Sequence, residues 1–173
     1  MPIVVPPRGT RGNDWKMPRP LMAAMVGVFH LAYRVFGGRM RVQGRPLIEL
    51  ETVGARSGLK RLTVLGVFPG STDGPEAEAP EPRSWVVVAS NGGSPRNPAW
   101  LLNLARHPDQ VWVSVARQRI RVRPDLLEGA ERERAWQEIT SLAKGYAGYQ
   151  ERTDRVIPIV RLSAEGQSAD PRE

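Results

Sequence analysis

Ten residues, TVGARSGLKR from Thr52 to Arg61, set two guanidinium groups, one ammonium and one hydroxyl around two glycines, with no carboxylate among them. Gly54 and Gly58 allow tight turns and a close approach of backbone amides to a ligand. Arg56 and Arg61 offer planar forks, Lys60 a point charge and Ser57 a hydroxyl, a set that suits phosphate or carboxylate oxygens. The spacing is not that of a Walker A loop, and no helix follows it. A second stretch, SNGGSPRNPAW from Ser90 to Trp100, runs from an apolar segment into Gly92-Gly93, where a planar ring could lie against bare backbone. It then opens a helix, whose N-terminal amides attract negative charge. Trp100 on the first turn could wall a pocket or fill the core. Asn103, one turn later, could reach a polar ligand or face water.

Other chemistries are excluded by what is missing. The chain has no cysteine, so thiolate nucleophiles, disulfides and cysteine-ligated metals are out. Its two histidines, His30 and His107, have no ligand-like spacing, and no metal site is expected. Redox chemistry would therefore need an organic cofactor. A net charge of +7 attracts nucleic acid, an anionic membrane surface or a polyanionic small molecule. The basic residues lack the interleaved aromatics that base-stacking surfaces use, so no nucleic acid is expected and a nucleic-acid-binding β-barrel is the least favoured reading.

These stretches must be positioned by a chain that, at 173 residues, is most simply one domain, large enough to bury a core. Residues 1–20 read as a flexible basic arm. The apolar run over 21–38 reads as a helix ended by Gly37 and Gly38, too short for the roughly 20 residues that span a bilayer. It is expected to dock on the domain or to touch a membrane peripherally. PLIELETV, KRLTVLGVFP and SWVVVAS read as strands. The helix PAWLLNLARH has Asn97 as its expected N-cap and Pro98 in its first turn. DQVWVSVA and RIRVRPD form a hairpin about Arg117-Gln118. Helix Gly129–Lys144 carries Trp136, Ile139, Leu142 and Ala143 on one face, with Arg134 and Glu138 paired on another. VIPIVRLS is the last strand. Ser71–Arg83 is a solvated loop and 164–173 a disordered tail. The fold class is mainly β with peripheral helices (α+β): a split barrel of about six strands over 39–163.

Together, TVGARSGLKR, VVVASNGGSPRNPAWLLNLARHP and YAGYQERTDRVIPIV resemble the deazaflavin-dependent nitroreductase family, over about Pro46 to Leu162. The resemblance implies a split β-barrel, coenzyme F420 and hydride transfer from the reduced deazaflavin to a planar electron-poor acceptor: a quinone, an enone or a nitroaromatic. F420 is an 8-hydroxy-5-deazaflavin with a lactyl phosphate and an oligoglutamate tail. By resemblance Arg56, Ser57, Lys60 and Arg61 bind the phosphate, while Ala89, Ser90, Gly92, Pro98, Ala99, Trp100 and Asn103 line the ring and ribityl chain. Tyr146 and Tyr149 border the acceptor from a glycine-rich segment able to close as a lid. Ser90, Tyr146 and Tyr149 are the candidate catalytic groups, as proton donors. Asn91 stands where many relatives carry Lys, and Lys60 and Val64 replace common prolines. Gly66 replaces an aromatic residue of some nitroreducing members, which implies a wider, less apolar pocket. The alternative is a non-catalytic F420-binding or storage protein. A homodimer and a cytoplasmic location, at the inner face of the membrane if the helix binds there, complete the expectations.

Overall fold

The computed structural model describes residues 3–13, 18, 20, 27–28, 30–33, 35, 41–42, 45–69, 84–115 and 118–165. Ser71–Arg83, Gly37 and Gly38, Arg117 and residues 166–173 lie outside them, as do the expectations placed there.

The strands are β1 (Arg41–Val42), β2 (Arg45–Val53), β3 (Lys60–Gly66), β4 (Phe68–Pro69), β5 (Ser84–Val88), β6 (Val111–Val115), β7 (Gln118–Leu126) and β8 (Ile159–Ala164). The helices are α1 (Ala99–Arg106), α2 (Gly129–Leu142) and α3 (Gly145–Arg152), with a 3-10 turn over Asn91–Gly93 before α1. The sheet order is β1-β2-β6-β7-β8-β5-β4, with β3 on β2. All pairings are antiparallel. Only Val67 separates β3 from β4, yet the two pair at opposite ends of this order. The sheet must therefore curl on itself, and its six strands of five or more residues make a split barrel.

Strand alternation divides the apolar residues into two cores. Ile48, Leu50, Val87, Val111, Val113, Val122, Val160 and Leu162 fill the interior beneath Trp100, Leu101 and Leu104 of α1. Val86, Val88 and Ile159 face the other way, packing with Phe68 and Ile157 against Ala135 and Ile139 of α2. The run Val86–Val88 is apolar throughout because this part of β5 is covered on both faces. Trp136 packs at the margin of the second core, while Leu142, expected on the buried face of α2, is exposed. That helix stops at Leu142, ahead of the expected Lys144.

The uneven alternation of β2 also has a cause. Glu49 and Glu51 are buried although acidic. The N-terminal helical residues lie over this outer face: His30 Nδ1 is 3.1 Å from Glu49, and the Tyr33 hydroxyl donates to the carbonyl of Ser114 at 2.7 Å. Burial pushes the Tyr33 phenol above its ordinary pKa. Glu51 is flanked by Lys60 Nζ at 2.6 Å and Arg119 at 2.9 Å. Burial alone would raise its pKa, but the hydrogen bonds from Arg119 and Lys60 outweigh that and lower it.

Where sequence predicts a flexible arm, residues 3–13 run across the domain. Ile3 joins the interior core. The amides of Gly9 and Asn13 donate to the carbonyls of Pro95 and Gly93, both at 2.9 Å. Asp154 accepts from the amides of Thr10 and Arg11 and from the Thr10 hydroxyl, and the Thr153 hydroxyl donates to the carbonyl of Arg11.

Candidate functional site

The basic loop between β2 and β3 is closed by two backbone bonds of 2.8 Å, Gly54 N–H to Leu59 C=O and Gly58 N–H to Gly54 C=O. Ser57 Oγ lies 2.5 Å from where a Cβ on Gly54 would stand, so a side chain at 54 would break the turn. The Ser57 hydroxyl oxygen accepts from Arg61 Nη2 and the Leu59 amide, both at 3.3 Å, which leaves its own hydrogen to donate.

A cavity of about 620 Å³ opens between this loop, β3 and the start of α1. Gly54, Arg56, Ser57, Arg61 and Thr63 line one side, and Ala99, Trp100 and Asn103 the other. Two arginines and no acidic side chain border it. That composition, together with the first turn of α1, fits a phosphorylated or carboxylated ligand. Trp100 is both core and wall, being buried in the interior cluster and bordering the cavity.

Lys60 and Asn103 differ from their expected roles. Lys60 does not line the cavity: it and Arg61 alternate along β3, and Lys60 turns to Glu51 on the outer face. Asn103 lines the cavity, but its amide is committed to protein. Its Oδ1 accepts from Ala55 N–H at 2.9 Å and its Nδ2 donates to Thr52 Oγ1 at 3.0 Å. Asn103 thus ties α1 to the basic loop, a positioning role.

The glycine segment is built from below by Arg155, which lies within the YAGYQERTDRVIPIV stretch and has no expected site role. Only 3% exposed, Arg155 donates to the carbonyls of Ser94, Ala89 and Ser90 and to Asn97 Oδ1 over 2.8–3.1 Å. Burial lowers its pKa. Asn97, the expected cap of α1, instead donates to the Pro6 carbonyl at 2.8 Å, and the N-cap position is Pro98, with no side-chain cap bond. Ala89 is wholly buried, its amide bonded to Pro158, so its side chain belongs to the core. Ser90 is half-buried at the head of the 3-10 turn, and Gly92 has φ 64°. Asn91 also adopts positive φ, 46°, which Asn tolerates, and its Nδ2 donates to the Arg96 carbonyl.

Tyr146 and Tyr149 sit on α3, a helix where the glycine-rich sequence predicts a segment able to close as a lid. Their rings meet edge to face at 5.6 Å, and Tyr146 meets Phe68 in the same way at 5.6 Å. A Cβ on Gly93 would come within 2.9 Å of the Tyr149 carbonyl oxygen, so α3 and the glycine turn are in direct contact. The wide pocket expected over Gly66 is occupied: Arg45 Nη1 lies 3.6 Å from the Cβ position there. No group of metal-ligating side chains occurs among the described residues.

The curled antiparallel sheet, with a cationic cleft between the basic loop and α1, is a split β-barrel. Residues 27–164 match the model of the F420H(2)-dependent quinone reductase family, and the chain belongs to that family. F420H(2)-dependent quinone reductases of two Mycobacterium tuberculosis strains are 33% identical over 136 residues, covering 76% of this chain and 84% of theirs. Among solved structures, an F420-H2 dependent reductase, FDR-A, aligns with a TM-score of 0.53 at 33% identity, covering 68% of this chain and 94% of its own. A domain-swapped dimer aligns with a TM-score of 0.54 at 29% identity, covering 80% and 98%. The chain is an F420-dependent oxidoreductase, and its cofactor is coenzyme F420.

Proposed function

We propose that the cavity between the basic loop and α1 holds the phosphate end of F420, and that the protein passes reducing equivalents to a quinone. The observation that carries this reading is the pairing of Arg56 and Arg61 with an acid-free wall at the start of α1. Arg56, Arg61 and Ser57 would hold the phosphate, with Lys60 kept on Glu51 as part of the scaffold. Ser90, Gly92, Pro98, Ala99 and Trp100 would border the ring and ribityl chain. The reduced deazaflavin supplies a hydride. The chain's part is to bind and orient, to exclude water and to furnish a proton from Ser90, Tyr146 or Tyr149.

Titration with F420 and with FMN, followed by tryptophan quenching, tests the cofactor site. Selective F420 binding is expected, and equal or tighter FMN binding overturns it. Stopped-flow oxidation of bound F420H2 by a panel of quinones, enones and nitroaromatics separates a reductase from a storage protein, since a storage protein oxidises with none.

The setting follows from charge and surface. Val28, Leu31 and Val35 lie on one side of the N-terminal helix and are 61–69% exposed, on a chain of net charge +7. These favour peripheral contact with the inner, anionic face of a membrane from the cytoplasm. Among the described residues no helix is long and apolar enough to cross one. A homodimer is supported by the likeness to a domain-swapped dimer. Flotation with anionic vesicles and light scattering test the two.

A further inference from the structure

Arg155 brings a buried charge to the glycine segment and meets no carboxylate there. Among the described residues it has no ion pair. Asp154, its neighbour in sequence, turns instead to the amides of Thr10 and Arg11. The guanidinium is directed wholly at neutral oxygens. Nε donates to the Ser94 carbonyl at 2.8 Å and Nη1 to Asn97 Oδ1 at 3.1 Å. A single nitrogen, Nη2, takes both carbonyls that flank the Ser90 Cα, that of Ala89 at 3.0 Å and that of Ser90 at 2.8 Å. Those carbonyls belong to the two peptide planes on either side of Ser90. One donor therefore fixes the backbone that aims this side chain, at φ −68° and ψ −35°. Across a planar trans peptide the N–H points opposite the C=O. With both carbonyls turned to Arg155, the amides of Ser90 and Asn91 point away from it. Neither amide, nor the Ser90 hydroxyl, has a partner among the described residues. The Ser90 carbonyl also accepts from Gly93 N–H at 2.9 Å, which closes the turn.

We propose that Arg155 is a positioning residue for hydride transfer, holding the Ser90 hydroxyl from beneath the turn as a hydrogen-bond donor toward the bound ring. This rests on the reading that Ser90 borders the F420 ring, and Arg155 itself touches neither cofactor nor acceptor. A donor aimed at a reacting ring helps most when it stands in place before charge shifts, so that nothing has to reorganise. The turn alone does not provide this. Asn91 and Gly92 both lie at positive φ, 46° and 64°, and no sheet ladder runs through them. The planar fork of an arginine reaches four oxygens across the 89–97 segment at once, which an ammonium on a flexible stem does not. Its charge strengthens each of those bonds. At 3% exposure, water does not compete for the same carbonyls. Asn97, which accepts from Nη1, donates in turn to the Pro6 carbonyl, so the N-terminal segment braces the same fork.

The test begins with hydrogen exchange in the cofactor-free full chain. The Gly93 amide, bonded to the Ser90 carbonyl, is expected to be as protected in wild type as the Leu104 amide of α1. Rapid exchange at Gly93 overturns the assignment without any variant, and still decides if Arg155→Lys fails to fold. Arg155→Lys keeps the charge and loses the fork. It should release Gly93 while Leu104 stays protected. It should also lower kcat for quinone reduction about tenfold or more, with the F420 dissociation constant changed about threefold at most. A purely structural role would move stability and affinity together, with no such split. Ser90→Ala and the double variant complete a cycle. Because Arg155 acts through Ser90, Arg155→Lys should lower kcat only about twofold or less once Ser90 is replaced by alanine. Losses that multiply overturn the assignment, as does a wild-type kcat in Ser90→Ala. If wild type does not bind F420, the cofactor reading falls and takes this one with it. If it binds and turns over but the losses multiply, this one falls alone.

Discussion

Asn103 on α1 holds the basic loop by its backbone: its Oδ1 accepts from the Ala55 amide at 2.9 Å while its Nδ2 bonds Thr52 Oγ1. The two contacts cross from helix to loop and from helix to strand. Asn103→Ala leaves the buried Thr52 hydroxyl without its donor and the Ala55 amide without its acceptor. A loss of roughly 1–3 kcal/mol in stability is expected, read by chemical denaturation. F420 affinity should fall with it, because the loop is no longer fixed against α1. Unchanged affinity would place the ligand off the loop.

Arg56→Ala and Arg61→Ala should each weaken F420 binding about tenfold or more, at roughly 1.5–3 kcal/mol per charge-assisted bond. Lys60→Ala should leave affinity nearly unchanged, because that ammonium is turned to Glu51. Fluorescence titration of the three variants checks the division. An effect of Lys60→Ala as large as that of Arg61→Ala would mean that Lys60 swings into the cavity.

Gly93 has φ 78°, and a Cβ there would meet the Tyr149 carbonyl oxygen at 2.9 Å. Gly93→Ala therefore combines backbone strain with a clash against α3. A cost of about 1–3 kcal/mol is expected from the strain alone. The displacement of α3 should lower turnover more than F420 affinity, a split visible in parallel kinetic and binding measurements. Gly148→Ala, with open space around its Cβ position, is the control.

The Thr10 hydroxyl, then the Arg11 and Thr10 amides, hold the Asp154 carboxyl at about 2, below its ordinary 3.8. A depressed carboxyl stabilises the fold above its ordinary pKa, and that contribution is lost as pH falls through the folded value. The N-terminal segment should stay attached at pH 5 and above, and loosen between about pH 4 and 2. Hydrogen exchange at the amides of Thr10 and Arg11 reads this directly. Asp154→Asn should show the low-pH behaviour at neutral pH. Identical protection in variant and wild type would mean that Ile3 and the Gly9 and Asn13 bonds suffice.

Much of the design is local and so legible along the chain. Strand runs such as SWVVV, the turn chemistry around Gly54 and Gly58, and the joint spacing of the basic and glycine stretches all depend on neighbours in sequence. They determined the strand-rich barrel class and the two stretches that meet at the cleft, while the cofactor came from the resemblance those stretches carry together. What only tertiary structure decided is which partner each polar group finds. Lys60 and Arg61 are adjacent, yet the pleat sends one to Glu51 and the other to the cavity. Asn97 and Asn103 became tethers because Pro6, Arg155, Thr52 and Ala55 arrive from distant segments. Arg155 itself looks like a surface charge in sequence; folding buries it beneath four oxygens of the 89–97 segment. The arm at 3–13 is proline-, glycine- and arginine-rich, as disordered segments are, but Asp154 and the glycine turn satisfy its backbone. A hydrogen bond between residues 60 or 140 positions apart is fixed by sheet register and helix docking, and no local pattern encodes either.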